Sequence, residues 1–162
     1  MKRAWIGLGG NVGDVRAALR DALGALDETS GIDVAATSAL YRTPPWGPVE
    51  QPPFLNCCAE LRTGLEPPEL LTRMHAIEAA LGRERTVRWG PRTVDLDLLF
   101  FEGFASNEPG LVVPHPRAGE RAFVLVPLAE IAPDLVLDGQ KIAERAAAID
   151  RTGLVRLDEG PR

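Results

Sequence analysis

Lysine is nearly absent from this chain: Lys2 and Lys141 stand beside sixteen arginines. Cysteine is as scarce, and the two present, Cys57 and Cys58, are adjacent inside an apolar run. Neighbouring cysteines make no disulfide framework, and with two histidines in the chain no Cys/His spacing suits a zinc site. No apolar stretch reaches the roughly 20 residues of a membrane-spanning helix. Met1 to Gly7 carries two basic residues, but glycine interrupts its apolar stretch at once. A signal peptide is therefore not expected, and the cytoplasm is the expected compartment. With a net charge of -5 the chain lacks the positive excess of a nucleic-acid or anionic-membrane binder. A Gly-x-x-x-x-Gly-Lys-Ser/Thr loop is missing as well, and after Gly7-Leu8-Gly9 the dinucleotide fingerprint fails at Val12. No serine or cysteine is flagged by a placed base, so covalent catalysis is not indicated.

What is there is an ordinary globular balance, 45% hydrophobic and 25% charged over 162 residues. That length buries a sufficient core without disulfides or structural metal. A single domain over 1–162 is expected, with 158–162 as a frayed tail.

Ala4 to Leu8 reads as a buried strand, with Gly9, Gly10 and Gly13 as turn residues. Val15, Ala18, Leu19, Ala22, Leu23 and Leu26 recur at helical spacing, and Asp14 stands where it can cap that helix. Ile32 to Tyr41 reads as a second strand. Between Arg42 and Pro53 five prolines forbid a regular element, and a long loop of that kind usually has a task. Phe54 to Arg62 reads as a third strand. Pro67-Pro68-Glu69 opens a helix with Leu70, Leu71, Met74, Ile77, Ala80 and Leu81 on one face, closed by Gly82. His75, on that helix, reads as structural. Val94 to Phe101 is the strongest strand, and a short strand, a Pro-His-Pro turn, an apolar run over 123–131 and a helix near 142–149 follow. Two successive β-α-β units predict an α+β, ferredoxin-like sandwich with a mainly antiparallel sheet.

Chemistry concentrates in 83–97. Arg83, Arg85, Arg88 and Arg92 fall within ten residues, together with Trp89. Guanidinium forks bind phosphate oxygens in pairs, so the cluster suits a polyphosphate; a solvated charged loop is the alternative. In the strand that follows, Asp95 and Asp97 share one face, their Cα atoms about 6.5–7 Å apart. Such a pair suits Mg²⁺, which takes a few carboxylates plus waters and phosphate oxygens. Alone it would equally be the polar face of an amphipathic strand. His115, braced by Pro114 and Pro116, adds phosphate-type donors with Arg117 and Arg121. Phe54 and Asn56 also share a strand face, an aromatic and an amide that suit a flat heterocycle unless Phe54 is simply core.

The segment Arg88-Trp89-Gly90-Pro91-Arg92-Thr93-Val94-Asp95-Leu96-Asp97-Leu98-Leu99 resembles the signature of the 6-hydroxymethyl-7,8-dihydropterin pyrophosphokinases. Tyr41-Arg42-Thr43-Pro44-Pro45, Gln51-Pro52 with Phe54-Leu55-Asn56, Pro114-His115-Pro116 and Pro127-Leu128 fall in that family's order along essentially the whole chain. The resemblance implies a three-layer αβα fold and transfer of pyrophosphate from ATP to the pterin hydroxymethyl group, releasing AMP. It implies two Mg²⁺ ions on Asp95 and Asp97. Arg83 and Arg92 are then catalytic, with Glu78, Arg85, Arg88, Trp89, His115 and Arg121 around ATP. Thr43, Pro45, Phe54, Asn56 and Phe123 would hold the pterin. Gly110 departs from the pattern, standing where a basic residue otherwise helps hold nucleotide. The expected partners are the two small substrates, with no nucleic acid or membrane, and a monomer is expected. A non-catalytic pterin or nucleotide sensor on the same fold is the alternative, and the intact carboxylate pair speaks against it.

Overall fold

The structure, a computed structural model, describes residues 1–45, 47–82, 94–157 and 160–161. In chain order the first half runs β1 (Lys2–Gly10), α1 (Val15–Glu28), β2 (Ile32–Thr37), β3 (Tyr41–Thr43), β4 (Phe54–Thr63) and α2 (Pro67–Ala80). The second half runs β5 (Asp95–Phe101), a hairpin of β6 (Ser106–Glu108) and β7 (Leu111–Val113), and a 3₁₀ turn at Ala118–Glu120. It ends with α3 (Ala122–Ile131), a hairpin of β8 (Val136–Leu137) and β9 (Gln140–Lys141), α4 (Ile142–Ala148) and β10 (Val155–Arg156). The main sheet has the order β10-β3-β4-β1-β5, with β2 also on β4, and every pairing in it is antiparallel.

The side-chain alternation of β1 and β4 sorts the core into two layers. Ala4, Ile6, Leu8, Cys57, Ala59 and Leu61 face α1 and α2 and pack with Leu19, Leu23, Leu70 and Met74. Trp5, Cys58, Leu99 and Phe100 face the other way, against Val124, Leu125 and Leu128 of α3 and Ile142 and Ala146 of α4. The result is an α+β sandwich with helices on both faces of an antiparallel sheet, as the resemblance implied. Asp14 does cap α1, its Oδ1 accepting from the Ala17 N–H at 3.1 Å. Gly82 ends α2 with φ of 77°, its N–H bonded to the Ala79 carbonyl.

Three expectations are corrected. Gly9 and Gly10 are not turn residues; they continue β1 in full register with Asn56 and Leu55 of β4. Gly13 does sit in a left-handed turn, at φ 69°. The strand expected over 32–41 is broken at Ser38–Leu40, where the Ser38 hydroxyl accepts the Cys58 N–H and the Ser38 N–H donates to the Cys58 carbonyl, both at 2.9 Å. A side chain there does what a strand carbonyl would do, and the edge resumes as β3. On α2 the buried face ends in Glu78 while Ala80 is exposed. Near the C-terminal end Pro161 is buried and the Gly160 carbonyl lies 3.4 Å from Arg16 Nη1. No helix among the described residues is long and apolar enough to cross a membrane.

Candidate active site

The second sheet face is only partly covered. Where β1 presents Trp5, α3 and α4 fill the space above it; where β1 presents Gly7 and Gly9, a cavity of about 340 Å³ remains. Glycine thus leaves a bare track of backbone between two strands that carry side chains. On one side Gly9 pairs with Asn56 of β4; on the other Gly9 pairs with Asp95 and Gly7 with Asp97 of β5. Asn56 therefore stands two strand spacings, roughly 10 Å, from Asp95. A β-bulge at Leu99 lets both Leu99 and Phe100 pack toward α3 and α4 and so closes the floor below the carboxylates.

Thr43, Phe54, Asn56 and Phe123 all line this cavity. The Asn56 amide Nδ2 donates to Thr43 Oγ1 at 3.3 Å, and its Oδ1 lies over Gly9 where a Cβ would collide with it. That fit explains glycine at position 9. Arg121 lines the same cavity, with its guanidinium carbon 5.4 Å from the centroid of the Phe123 ring. Pro45 is half-buried but does not line it.

A second cavity of about 230 Å³ lies on the other side of Asp97, between α2, β5 and the hairpin β6–β7. Asp97 lines both cavities; His115 lines the second. His115 is held through its N–H to the Leu99 carbonyl, and its Nδ1 accepts the Arg117 N–H at 3.2 Å. Burial pushes the imidazole pKa below its ordinary value; Asp97 opposes this, while Arg121 and Arg117 reinforce it. A neutral ring with Nδ1 as acceptor leaves Nε2 as the donor. His75, read as structural from the sequence, is exposed on α2 and lines this second cavity.

Glu78 lines neither cavity. It is buried behind β5, where its Oε2 accepts the N–H of Leu96 at 2.9 Å. It thus fixes the strand between the two aspartates. Asn11 was missed in the sequence and is 3% exposed; its Nδ2 donates at 2.9 Å to both Gln51 Oε1 and the Pro52 carbonyl. A lone asparagine after a strand gives no sign that it will latch a proline-rich loop forty residues away.

Arg83, Arg85, Arg88, Trp89 and Arg92 lie outside the described residues. Among those described, no cluster of three or more potential metal ligands occurs. The donor set is the pair Asp95 and Asp97 facing a cavity, which fits a Mg²⁺ ion that keeps its waters and takes phosphate oxygens.

Residues 5–133 match the family model of the 7,8-dihydro-6-hydroxymethylpterin-pyrophosphokinases (HPPK). The chain is 51% identical over 158 residues to a 2-amino-4-hydroxy-6-hydroxymethyldihydropteridine pyrophosphokinase of Methylorubrum extorquens, covering 98% of this chain and all of the relative. With the Synechocystis protein of the same name it shares 45% over 153 residues, covering 93% and 78%. Among solved structures it is similar to an HPPK-DHPS in complex with substrates, at TM-score 0.76 and 13% identity over 96% of this chain. The wild-type Plasmodium falciparum HPPK-DHPS gives TM-score 0.71 at 15% identity over 90% of this chain. The chain spans less than half of those structures, 46% and 44% respectively, and at such identities they speak for the fold alone. With the family's domain over most of its length and a full-length relative at half identity, the chain belongs to the 7,8-dihydro-6-hydroxymethylpterin-pyrophosphokinase family.

Proposed function

We propose that the two cavities are the two substrate sites of this pyrophosphokinase, meeting at Asp97. The reaction joins ATP and 6-hydroxymethyl-7,8-dihydropterin. The hydroxymethyl oxygen attacks the β-phosphorus of ATP, the bond from that phosphorus to the α,β-bridging oxygen breaks, AMP leaves and the hydroxyl proton is lost. The observation that carries the assignment is that one residue, Asp97, lines both cavities, so groups bound in them meet beside it.

In the first cavity Phe54 and Phe123 hold the pterin by its faces, while Asn56, steadied by Thr43, reads its edge; Pro45 supports the loop beside them. The second cavity takes the nucleotide, with His115 donating from Nε2 to a phosphate oxygen and Arg121 neutralising charge at the junction. Asp95 and Asp97 would hold two Mg²⁺ ions. Bound there, Mg²⁺ supplies charge neutralisation and acidifies a coordinated hydroxyl. Glu78 keeps both carboxylates aimed by fixing the backbone between them. Arg83 and Arg92 are proposed as charge-stabilising residues, and Arg85, Arg88 and Trp89 as further nucleotide contacts, on the strength of the sequence signature. With little covalent work to do, positioning and charge stabilisation account for the rate. We take the chain as one domain, acting as a monomer in the cytoplasm.

The test is AMP formation from ATP and Mg²⁺, with and without 6-hydroxymethyl-7,8-dihydropterin. AMP that appears only with pterin and metal together is the expected result; ADP, or AMP without pterin, refutes the reading.

A further inference from the structure

Arg117, a phosphate-type donor by its place in the sequence, has no role in the substrate sites proposed above, yet its position is unusual. It follows the rigid Pro114-His115-Pro116 turn, and its backbone N–H is the donor that fixes His115 Nδ1 beside the nucleotide cavity. The residue is exposed and lines the other cavity, the one holding Phe54, Asn56 and Phe123. Arg117 thus bridges the two sites: its N–H holds His115 of one cavity, and the residue itself lines the other. Arg121 shares the cavity but lies against the Phe123 ring, whereas Arg117 makes no side-chain hydrogen bond or ion pair among the described residues. Glu120 also lines the cavity; its N–H donates to the Arg117 carbonyl at 3.1 Å, and among the described residues no side-chain bond joins the two.

The chemistry of the reaction gives that cation a ligand. The pterin alcohol is uncharged at its hydroxymethyl group and offers a guanidinium one neutral acceptor but no anion to pair with. After transfer the same cavity must hold a pterin carrying a diphosphate, whose oxygens match a guanidinium fork. We propose that Arg117 is a diphosphate-binding residue on the pterin side, engaging the transferred group as it leaves the nucleotide and joins the pterin. This rests on the first cavity being the pterin site. A contact that forms only as charge arrives on that side favours the transfer step over binding of the alcohol.

Calorimetric titration of the full chain, Arg117→Ala and Arg117→Lys with three ligands tests this: the pterin alcohol, its diphosphate, and α,β-methylene ATP. In Arg117→Ala the diphosphate should bind about tenfold more weakly, with alcohol and ATP analogue each within about twofold of the parent. Arg117→Lys, which keeps the charge but not the fork, should recover part of the loss. An unchanged diphosphate affinity, equal losses for alcohol and diphosphate, or a loss confined to the ATP analogue overturns the assignment. The AMP assay on the parent chain separates the two readings: AMP formed with pterin leaves only Arg117 in question, and its absence removes both.

Discussion

At the scale of single residues the site turns on what stands on either side of Gly7 and Gly9 in β1. Asp97 is exposed and lines both cavities, so its removal should leave the core intact. Asp97→Ala is expected to cut AMP formation by about 10²–10³-fold, the scale of losing one group that stabilises transition-state charge. Thermal unfolding of the metal-free protein should be nearly unchanged, and near-parental turnover would refute the junction role. Gly9 makes the complementary case. A methyl group there meets Asn56 Oδ1, with the Asn56 side chain already tied to Thr43. Gly9→Ala should therefore raise the KM for pterin by about tenfold, a cost of ~1.4 kcal/mol, and leave the KM for ATP alone. Equal effects on both substrates would mean that the strand, not the amide, had moved.

At the scale of elements, the wall that carries Thr43 is held from behind. Glu130 on α3 accepts the Ala39 N–H at 2.9 Å and the Tyr41 hydroxyl, and Arg156 of β10 reaches the same carboxylate at 3.4 Å. Burial, with help from Glu130, pushes the Tyr41 pKa up to about 12. Below the ordinary tyrosine value near 10 the phenol is protonated folded or unfolded, and its contribution to stability is fully present. As pH rises toward about 12 the unfolded chain loses that proton first, so the contribution drains away across the interval. Tyr41 is the only tyrosine, which makes its ultraviolet titration readable without ambiguity. Glu130→Gln should bring that titration down toward 10; an unmoved midpoint would leave burial as the whole cause.

At the scale of the whole molecule, the adjacent cysteines report on the two layers. Cys57 packs in the α1–α2 layer and Cys58 in the α3–α4 layer, because consecutive strand residues face opposite ways. Burial pushes the Cys57 thiol up to about 12 and the Cys58 thiol well above its usual value, so neither supplies thiolate near neutral pH. The native protein should resist a thiol-specific chromogenic reagent. In denaturant both thiols should become reactive in one transition if the chain is a single cooperative domain. Reaction of one thiol ahead of the other would show that the helical layers open separately.

The local pattern of the chain was enough to find α1 with its Asp14 cap, α2 between Pro67 and Gly82, and the shared face of Asp95 and Asp97. These are readable because spacing, capping and strand parity act over a few residues. The motif order was likewise enough to suggest the family. Other features depend on contacts between residues far apart in sequence. Gly9 reads as a turn until β4 and β5 pair on both sides of it, and His75 reads as structural until the β6–β7 hairpin opens a cavity beside it. Glu78 finds its partner at Leu96, and Asn11 finds its own at Gln51 and Pro52. Hydrogen bonds that join distant segments have no period to betray them. The meeting of two cavities at Asp97 is likewise a product of packing, set by where α3 stops covering the sheet and where β1 carries no side chains.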